Sequence, residues 1–255
     1  MICHQKIIRD KQAEIEHKES LFGAYWENID LSRSNAIIRK VSHTTAKEII
    51  LKYEWLGTMP SVFTCGYGLF FGWSFAAVEC FTEAKLGSLY SFNKEPAICL
   101  CRGACVHWAP KWSASFLISN SIKLLDKKYH YVLAYSDTDA NEIGTVYQAC
   151  NWYCVGEVSN KFWQRPDGKR FDRSYHRNLV RGRDENGKEK VFGDDHVRMK
   201  EKMLKEGWKI VTGGKRYKYA FPLGSGRDFR SRKKYLESIS IPYPKREVKQ
   251  CQENS

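Results

Sequence analysis

Residues 131–158, YVLAYSDTDANEIGTVYQACNWYCVGEV, decide the fold. Tyr131 to Tyr135 is a short apolar run ended by Ser136-Asp137, the pattern of a buried strand that stops at a turn. Asp139 stands where a helix cap would, with Glu142 three residues on, an acidic variant of the capping box. Ile143, Val146, Tyr147 and Cys150 follow at i, i+3, i+4 and i+7, one face of a helix that Asn151 ends. Trp152 to Val158 reads as the next strand. Strands alternating with helices imply a partly parallel, mixed sheet and an α/β fold.

Upstream, Ala97 to Val106 is a strand apolar on both faces apart from Arg102. Pro110 sits where a helix begins, and its stripe of Ala114, Ser115, Ile118, Ile122 and Leu125 carries it to about Lys127. Ser61 to Glu83, broken by Gly66, Gly68 and Gly72, reads as two antiparallel strands at about 62–72 and 74–82. Ala36 to Val41 is the first strand. The helix after it is capped by Ser42 or Thr44, with Ala46, Ile49, Ile50 and Tyr53 inward; Gly57 stops it and Pro60 bars continuation. Residues 1–34 read as a polar leader with a helix near Ile7 to Glu19.

Downstream, Phe162 to Phe171 is a hairpin around Pro166-Asp167-Gly168. Residues 173–190 read as a long loop, and a helix at about 195–206 is stopped by Gly207. A second hairpin, Trp208 to Phe221, is expected to turn at Gly213-Gly214. From Gly224 the chain is charged and reads as a mobile tail whose removal leaves the fold intact. The expected division is a leader at 1–34, a catalytic domain at 35–223 and a basic tail at 224–255.

The formal charge is +13, from 42 basic and 29 acidic side chains. Such a balance favours a polyanionic partner, because Lys and Arg neutralise phosphates and release counterions. No apolar run is long enough to span a membrane, and the N-terminus lacks the apolar stretch of a secretory signal, so a cytoplasmic protein is expected. The nine cysteines, an odd count lying mostly in apolar strands, read as reduced thiols. Cys99, Cys101, Cys105 and His107 lie within nine residues. Residues one apart on a strand do not fold round an ion, so these read as packing residues and no metal is expected.

Three constellations carry chemistry. Asp137 stands at the carboxyl end of a strand, where open α/β sheets bind ligands, and Tyr147 lies on the following helix. A carboxylate and a phenol can share proton transfer at an amine; the plainer alternative is a turn-ordering Asp and a core Tyr. Arg102 and the helix start near Lys111, with Ser113 and Ser115, offer a seat for a cofactor phosphate. Third, basic and aromatic residues interleave. Lys161, Arg165, Lys169, Arg170, Arg173, Arg177, Arg181 and Arg183 lie in one stretch with Phe162, Trp163, Tyr175 and His176, and Arg216 and Lys218 share a face of the last hairpin. Cations track phosphates, and Trp55, Trp108 or Trp163 could stack on an extruded base. The plainer alternative is a solvated charged face.

The chain resembles the bacteriophage Mom family. The resemblance lies in Tyr53-Glu54-Trp55-Leu56-Gly57-Thr58-Met59-Pro60, the Arg102 strand and the Ser113/Ser115 helix. It continues in Tyr135-Ser136-Asp137, Gly144 to Trp152 and Gly156, and in Gly207-Trp208 with Lys215-Arg216-Tyr217. It covers about residues 36–223 and is most specific from Ser136-Asp137 to Asn151-Trp152. The resemblance implies a GCN5-related acetyltransferase-like fold, whose element order this chain follows, and a transferase that converts adenine in double-stranded DNA to an N6-carbamoylmethyl form, protecting phage DNA from restriction. It also implies Asp137 and Tyr147 in the active site and Arg102 and Ser115 near a cofactor, acetyl-CoA or a related acyl donor. Two departures stand out. A glycine-rich acyl-CoA loop is replaced by Cys101 to Lys111, with His107-Trp108-Ala109-Pro110 where glycines are expected. Glu54-Trp55 replaces an expected His-Tyr pair, so either Glu54 substitutes as the polar catalytic group or the chemistry differs. An acyl-CoA-dependent N-acetyltransferase of a small amine or protein lysine, and a non-catalytic DNA-binding protein, are the competing classes.

Overall fold

The computed structural model describes residues 2–19, 25–60, 62–83, 91–172, 176, 179–180, 182–183, 189–190 and 195–246. They form two compact units, Met1–Glu157 with Tyr217–Ser255, and Val158–Arg216.

In the first unit, α1 (His4–Glu19) precedes β1 (Ala36–Val41) and α2 (His43–Tyr53). Ser42 is the cap: its hydroxyl accepts from Thr45 N at 3.0 Å, satisfying one of the orphan donors of the first turn. Ala46, Ile49, Ile50 and Tyr53 are buried, as their spacing requires. Then come β2 (Cys65–Phe71), β3 (Ser74–Thr82), β4 (Ser91–Phe92), β5 (Glu95–Cys105), α3 (Ser113–Ser121), β6 (Tyr131–Asp137), α4 (Thr145–Ala149) and the start of β7 (Tyr153–Gln164). In the second unit, β7 ends and turns into β8 (Arg170–Asp172). A two-residue ribbon pairs β9 (Gly182–Arg183) with β10 (Glu189–Lys190), α5 spans Asp195–Lys205, and β11 (Lys209–Pro222) begins. The end of β11 and α6 (Gly226–Ile239) belong to the first unit.

The expected mixed sheet is present. Its strand path is β1-β2-β3-β5-β6-β11-β7-β8, with β4 on β5. Pairing is antiparallel from β1 through β5 and parallel between β5 and β6. One face carries α2 and α3 over a core that includes Ile50, Leu69, Ile98, Leu117 and Trp152. A smaller cluster gathers Phe92, Ala97, Tyr131, Leu133, Ala220 and Leu236.

The structure corrects several expectations. The helix after Pro110 ends at Ser121, followed by a 3-10 turn at Ile122–Leu124. Its inward residues are Ser113, Leu117, Ile118 and Ser121; Ala114 and Ser115 are half-buried, because small serines hid the true stripe. Asp139 lies inside a 3-10 turn, Thr138–Ala140, and not at a helix N-cap. Asp137 accepts from Asp139 N at 3.0 Å to open a 3-10 turn, Asn141 breaks the chain at φ 55, and Gly144 at φ 75 stands before α4. Gly213 and Gly214 do not turn the chain. Neither takes a positive φ, and strand pairing holds β11 extended through both.

The tail is also corrected. Phe229, Arg232, Leu236 and Ile239 form a helical stripe that dense basic residues concealed. Leu236 is fully buried, with Tyr235 and Ile239 packed beside it, and Arg232 pairs with Glu95 at 2.7 Å. Beyond α6, Ile241 N donates to Cys154 O at 2.8 Å and Tyr243 OH to Trp152 O at 2.7 Å. Residues 224–246 therefore complete the core rather than trail from it. The expected loop at 173–190 lies mostly outside the described residues, apart from the β9–β10 ribbon.

Leu236→Ala removes the residue that α6 buries most deeply and should cost about 2–4 kcal/mol in urea denaturation. Arg230→Ala on the exposed face should stay within about 0.5 kcal/mol. Equal midpoints for the two variants would show α6 to be dispensable.

Candidate active site

The site is set by two strands that separate. β5 and β6 pair only from Ala97↔Tyr131 to Leu100↔Ala134, yet β5 continues to Cys105 and β6 to Asp137. The cause is local. β3 pairs Cys80 with Arg102 and Phe81 with Leu100, leaving Cys101 as an extra residue in β5. Such a bulge bends its strand and increases the twist. Val106 N donates to Ala76 O at 2.9 Å, so the period of two turns the backbone groups of Arg102 and Ala104 to β3 and those of Gly103 and Cys105 to the gap.

Asp137 lies at the open end of β6 and is buried. The chain then folds back: Glu142 N donates to Asp137 O at 3.1 Å, which brings the Glu142 carboxylate close to it. Burial pushes Glu142 up to about 7, and the charges of Glu54 and Asp137 add to that push. Glu54, buried at the C-terminal end of α2, is pushed up to about 6 by burial, against the pull of the Arg102 guanidinium and the Leu56 and Gly57 N–H groups. Leu56 N donates to a Glu54 carboxylate oxygen at 2.9 Å. Three carboxyl groups from three segments thus share one field. Burial, with the neighbouring negative charges, keeps Glu142 protonated to near neutral pH.

Tyr147 joins them from α4. Burial, then the Glu142 charge, holds its phenol well above the ordinary range, so it stays neutral. Its ring packs against Trp152 and Tyr219, centroids 5.3 and 5.2 Å away. Tyr219 fixes this arrangement from β11: its hydroxyl donates to Ile143 O at 2.5 Å and accepts from Gln148 Nε2 at 3.0 Å. Gly144 makes room for it, since a Cβ there would lie 2.3 Å from the Tyr219 ring. Ser136 Oγ and Trp152 Nε1 are buried without a hydrogen-bond partner among the described residues.

The expected catalytic residues Asp137, Tyr147 and Glu54 therefore converge electrostatically, and Glu142 is the one that sequence reading missed. The capping pattern with Asp139 points to a helix start instead; the signal for a site is three acids, Asp137, Asp139 and Glu142, in a stretch, residues 131–156, with no other charge. The expected cofactor residues have other tasks. Arg102 Nε donates to Thr58 O at 2.9 Å and Nη1 to Cys101 O at 2.7 Å, tying the loop after α2 to the bulge. Ser113 is fully buried, and Ser115 Oγ donates back to Trp112 O at 3.0 Å. Burial pushes the thiols of Cys101 and Cys105 up to about 12 and about 11 and that of Cys99 higher still, so all three stay protonated and pack. Among the described residues no three His, Cys, Asp or Glu side chains gather to hold a metal ion.

With α1 in place, the seat an acyl-CoA would need is covered. The loop after β5 lacks glycines, and α1 lies on it. Gln5 Nε2 donates to Gly103 O at 2.7 Å, and Arg9 Nη2 to His107 O at 2.9 Å and Ala109 O at 3.1 Å. Glu16, further along α1, accepts from Tyr53 OH at 2.7 Å and Lys52 Nζ at 3.0 Å. Tyr53 OH also lies 3.1 Å from His107 Nδ1. Trp55, half-buried, meets the His4 ring at 6.2 Å, and Trp108 is half-buried against the core.

In the second unit, Trp163 is not a stacking surface: it is fully buried, and its Nε1 donates to His176 Nδ1 at 3.1 Å. Among the expected phosphate contacts, Arg165 Nε pairs with Asp167 at 2.8 Å, holding that carboxyl down to about 2. Lys169 and Arg170 are exposed over the Phe171 and Phe162 rings, 5.5 and 4.4 Å from the centroids, and Arg216 is half-buried. Arg173, Arg177, Arg181 and the Arg183 side chain lie outside the described residues. In the first unit, Lys218 sits half-buried over the Phe92 ring at 4.7 Å, a packing position rather than an outward one. Among the described residues no helix is long and apolar enough to cross a membrane.

The raised Glu142 makes stability depend on pH. Its folded form holds a proton up to about 7, whereas the unfolded chain releases it near 4.5. Stability is therefore fullest below about 4.5 and declines as pH rises through about 7. Glu142→Gln should remove this decline and gain on the order of 1–2 kcal/mol at pH 8 relative to pH 5. Urea denaturation at both pH values measures it; an unchanged difference would mean that Glu142 is not in the cluster.

Among curated proteins none matches the chain. Solved acetyltransferases are similar to it. A GNAT family acetyltransferase from Elizabethkingia anophelis with acetyl-CoA bound shares 9% identity at a TM-score of 0.41, covering 75% of this chain and 100% of that one. An N-acetyltransferase from Staphylococcus aureus shares 13% at 0.42, covering 74% and 99%. An IAA acetyltransferase from Bacillus cereus shares 11% at 0.39, with 74% and 99% covered. The profile of the Mom protein family matches residues 35–245, which take in α2, the bulged β5, Asp137, Glu142 and Tyr147, and the chain belongs to that family.

Proposed function

We propose that the chain is a DNA-modifying transferase that adds a small group, carbamoylmethyl, to adenine N6 in duplex DNA. The observation that carries this reading is the pair of proton-holding carboxyls Glu142 and Glu54, gathered with Asp137 and the neutral Tyr147 at the open end of β6. Membership of the Mom family supports it.

Adenine N6 is a weak nucleophile, because its lone pair is delocalised into the ring. As N6 forms its new bond to carbon, one N6 proton must leave. A carboxylate whose proton affinity lies near neutrality is suited to take it, and Glu142 at about 7 is better matched than an ordinary glutamate. Burial, then the charges of Glu54 and Asp137, raise that affinity. Tyr147, as a neutral phenol, can donate a hydrogen bond to the departing group on the donor. A base paired inside the duplex must first be extruded. The half-buried Trp55 and Trp108 are the stacking surfaces this model retains. Lys169 and Arg170, with the basic stretch around them, supply phosphate contacts, so log affinity should fall by roughly 0.9 per contact with log salt.

Mass spectrometry of nucleosides from DNA of cells producing the protein tests the reading. A modified deoxyadenosine is expected with the wild type. Asp137→Asn, Glu142→Gln and Tyr147→Phe should each reduce it by roughly 100-fold or more, with circular dichroism unchanged. Unmodified DNA together with tight, salt-sensitive binding would make the protein a DNA binder only. Thioester turnover on a small amine without DNA would make it an ordinary acetyltransferase.

A further inference from the structure

The helix α1 lies outside the family match at residues 35–245, yet it touches the candidate site at several points. Ile2 O accepts from Asn141 Nδ2 at 3.4 Å, beside the turn that carries Glu142. Gln5 and Arg9, one turn apart on the same face, take Gly103 O, His107 O and Ala109 O. Glu16 anchors the other end on Lys52 and Tyr53. The helix therefore crosses the end of β5 where β6 has departed.

The acceptor that Gln5 takes is a strand-edge acceptor. Gly103 and Cys105 turn their backbone groups away from β3, and among the described residues no strand pairs with them on that side. An open edge of this kind binds an extended chain bearing amides, which adds to it as a further strand would. The Gln5 carboxamide imitates one such amide. The helix that carries it is weakly held: none of residues 4–18 is buried, and Ile7 and Ile15 face solvent. Its attachments are these polar contacts and the His4–Trp55 ring contact, each of small net worth in water.

We propose that α1 is a displaceable strap. Its N-terminal half, through Gln5 and Arg9, occupies the open edge of β5 and the loop after it, and an extended, amide-bearing donor molecule must lift that half to bind. Glu16, on Tyr53 and Lys52, is the hinge end that stays. The inference rests on reading the gap as the seat of the group donor in the proposed transfer. It accounts for the poor fit of an acyl carrier with α1 in place, since the same carbonyls would be needed twice.

Coenzyme A, whose arm carries two amides, is the probe. Titration calorimetry compares the full-length wild type with Gln5→Ala/Arg9→Ala, and hydrogen exchange follows residues 4–19 and 103–110. Loss of three competing hydrogen bonds should tighten coenzyme A binding roughly tenfold. Saturating coenzyme A should speed exchange in the N-terminal half of α1 in the wild type while protecting residues 103–110. Glu16→Gln, which loosens only the hinge end, should change affinity less than twofold. Equal affinity of wild type and double variant, or α1 protection unchanged at saturation, would overturn the strap. So would absence of binding to either protein. Should the coenzyme behave as expected while DNA nucleosides stay unmodified, the strap stands and the adenine acceptor falls.

Discussion

The parting of β5 and β6 beyond Leu100 and Ala134 is the constraint on which the rest of the molecule depends. One extra residue, Cys101, bends β5 away and leaves backbone groups that no neighbouring strand satisfies among the described residues. Buried carbonyls do not go unpaired without cost, so side chains are recruited to them. Arg102 curls back on Cys101 O, and Gln5 reaches Gly103 O. The same opening leaves Asp137 buried at a strand end. Glu54 and Glu142 join it from other segments; burial raises the proton affinity of both, and for Glu142 the charges of Glu54 and Asp137 add to it.

Much of the scaffold was legible because it follows simple periods. β1 and β3 fall where alternation and glycine breaks put them, and α2 follows from Ser42 and the stripe Ala46, Ile49, Ile50, Tyr53. What misled was residue type used against habit. Gly213 and Gly214 have turn chemistry but lie extended in β11, where pairing overrides local freedom. The charged tail hid Leu236 because three or four inward positions suffice to dock a helix. At the site, Asp137 could be read from its place at a strand end. Glu142 could not, because its partner Glu54 lies some ninety residues away in sequence and only the fold brings their fields together. Trp163 was misjudged for a similar reason: an aromatic among arginines looks like a stacking surface until its neighbours enclose it.

The positive balance of the chain is likewise not one feature. In the first unit Arg9, Arg102 and Arg232 spend their donors on carbonyls and on Glu95, and Lys218 lies over an aromatic ring. These cations hold the fold together, and counting them as phosphate contacts overstates the surface charge. Lys169 and Arg170 of the second unit are exposed, and each borrows an aromatic face for support.

The place of β11 has a consequence for how the chain is made. It lies between β6 and β7 in the sheet, although both precede it in sequence by more than forty residues. On the ribosome β6 and β7 emerge with their shared position vacant, and the intervening segment must be synthesised before the wedge arrives. Until then two apolar strand edges face each other with nothing between them, and direct pairing is a trap that later insertion has to undo. Tyr219 comes with that same strand, so the contact that seats α4 arrives only when the sheet is finished. A nascent chain stalled short of Tyr219 would hold most of its strands and none of its positioned phenol.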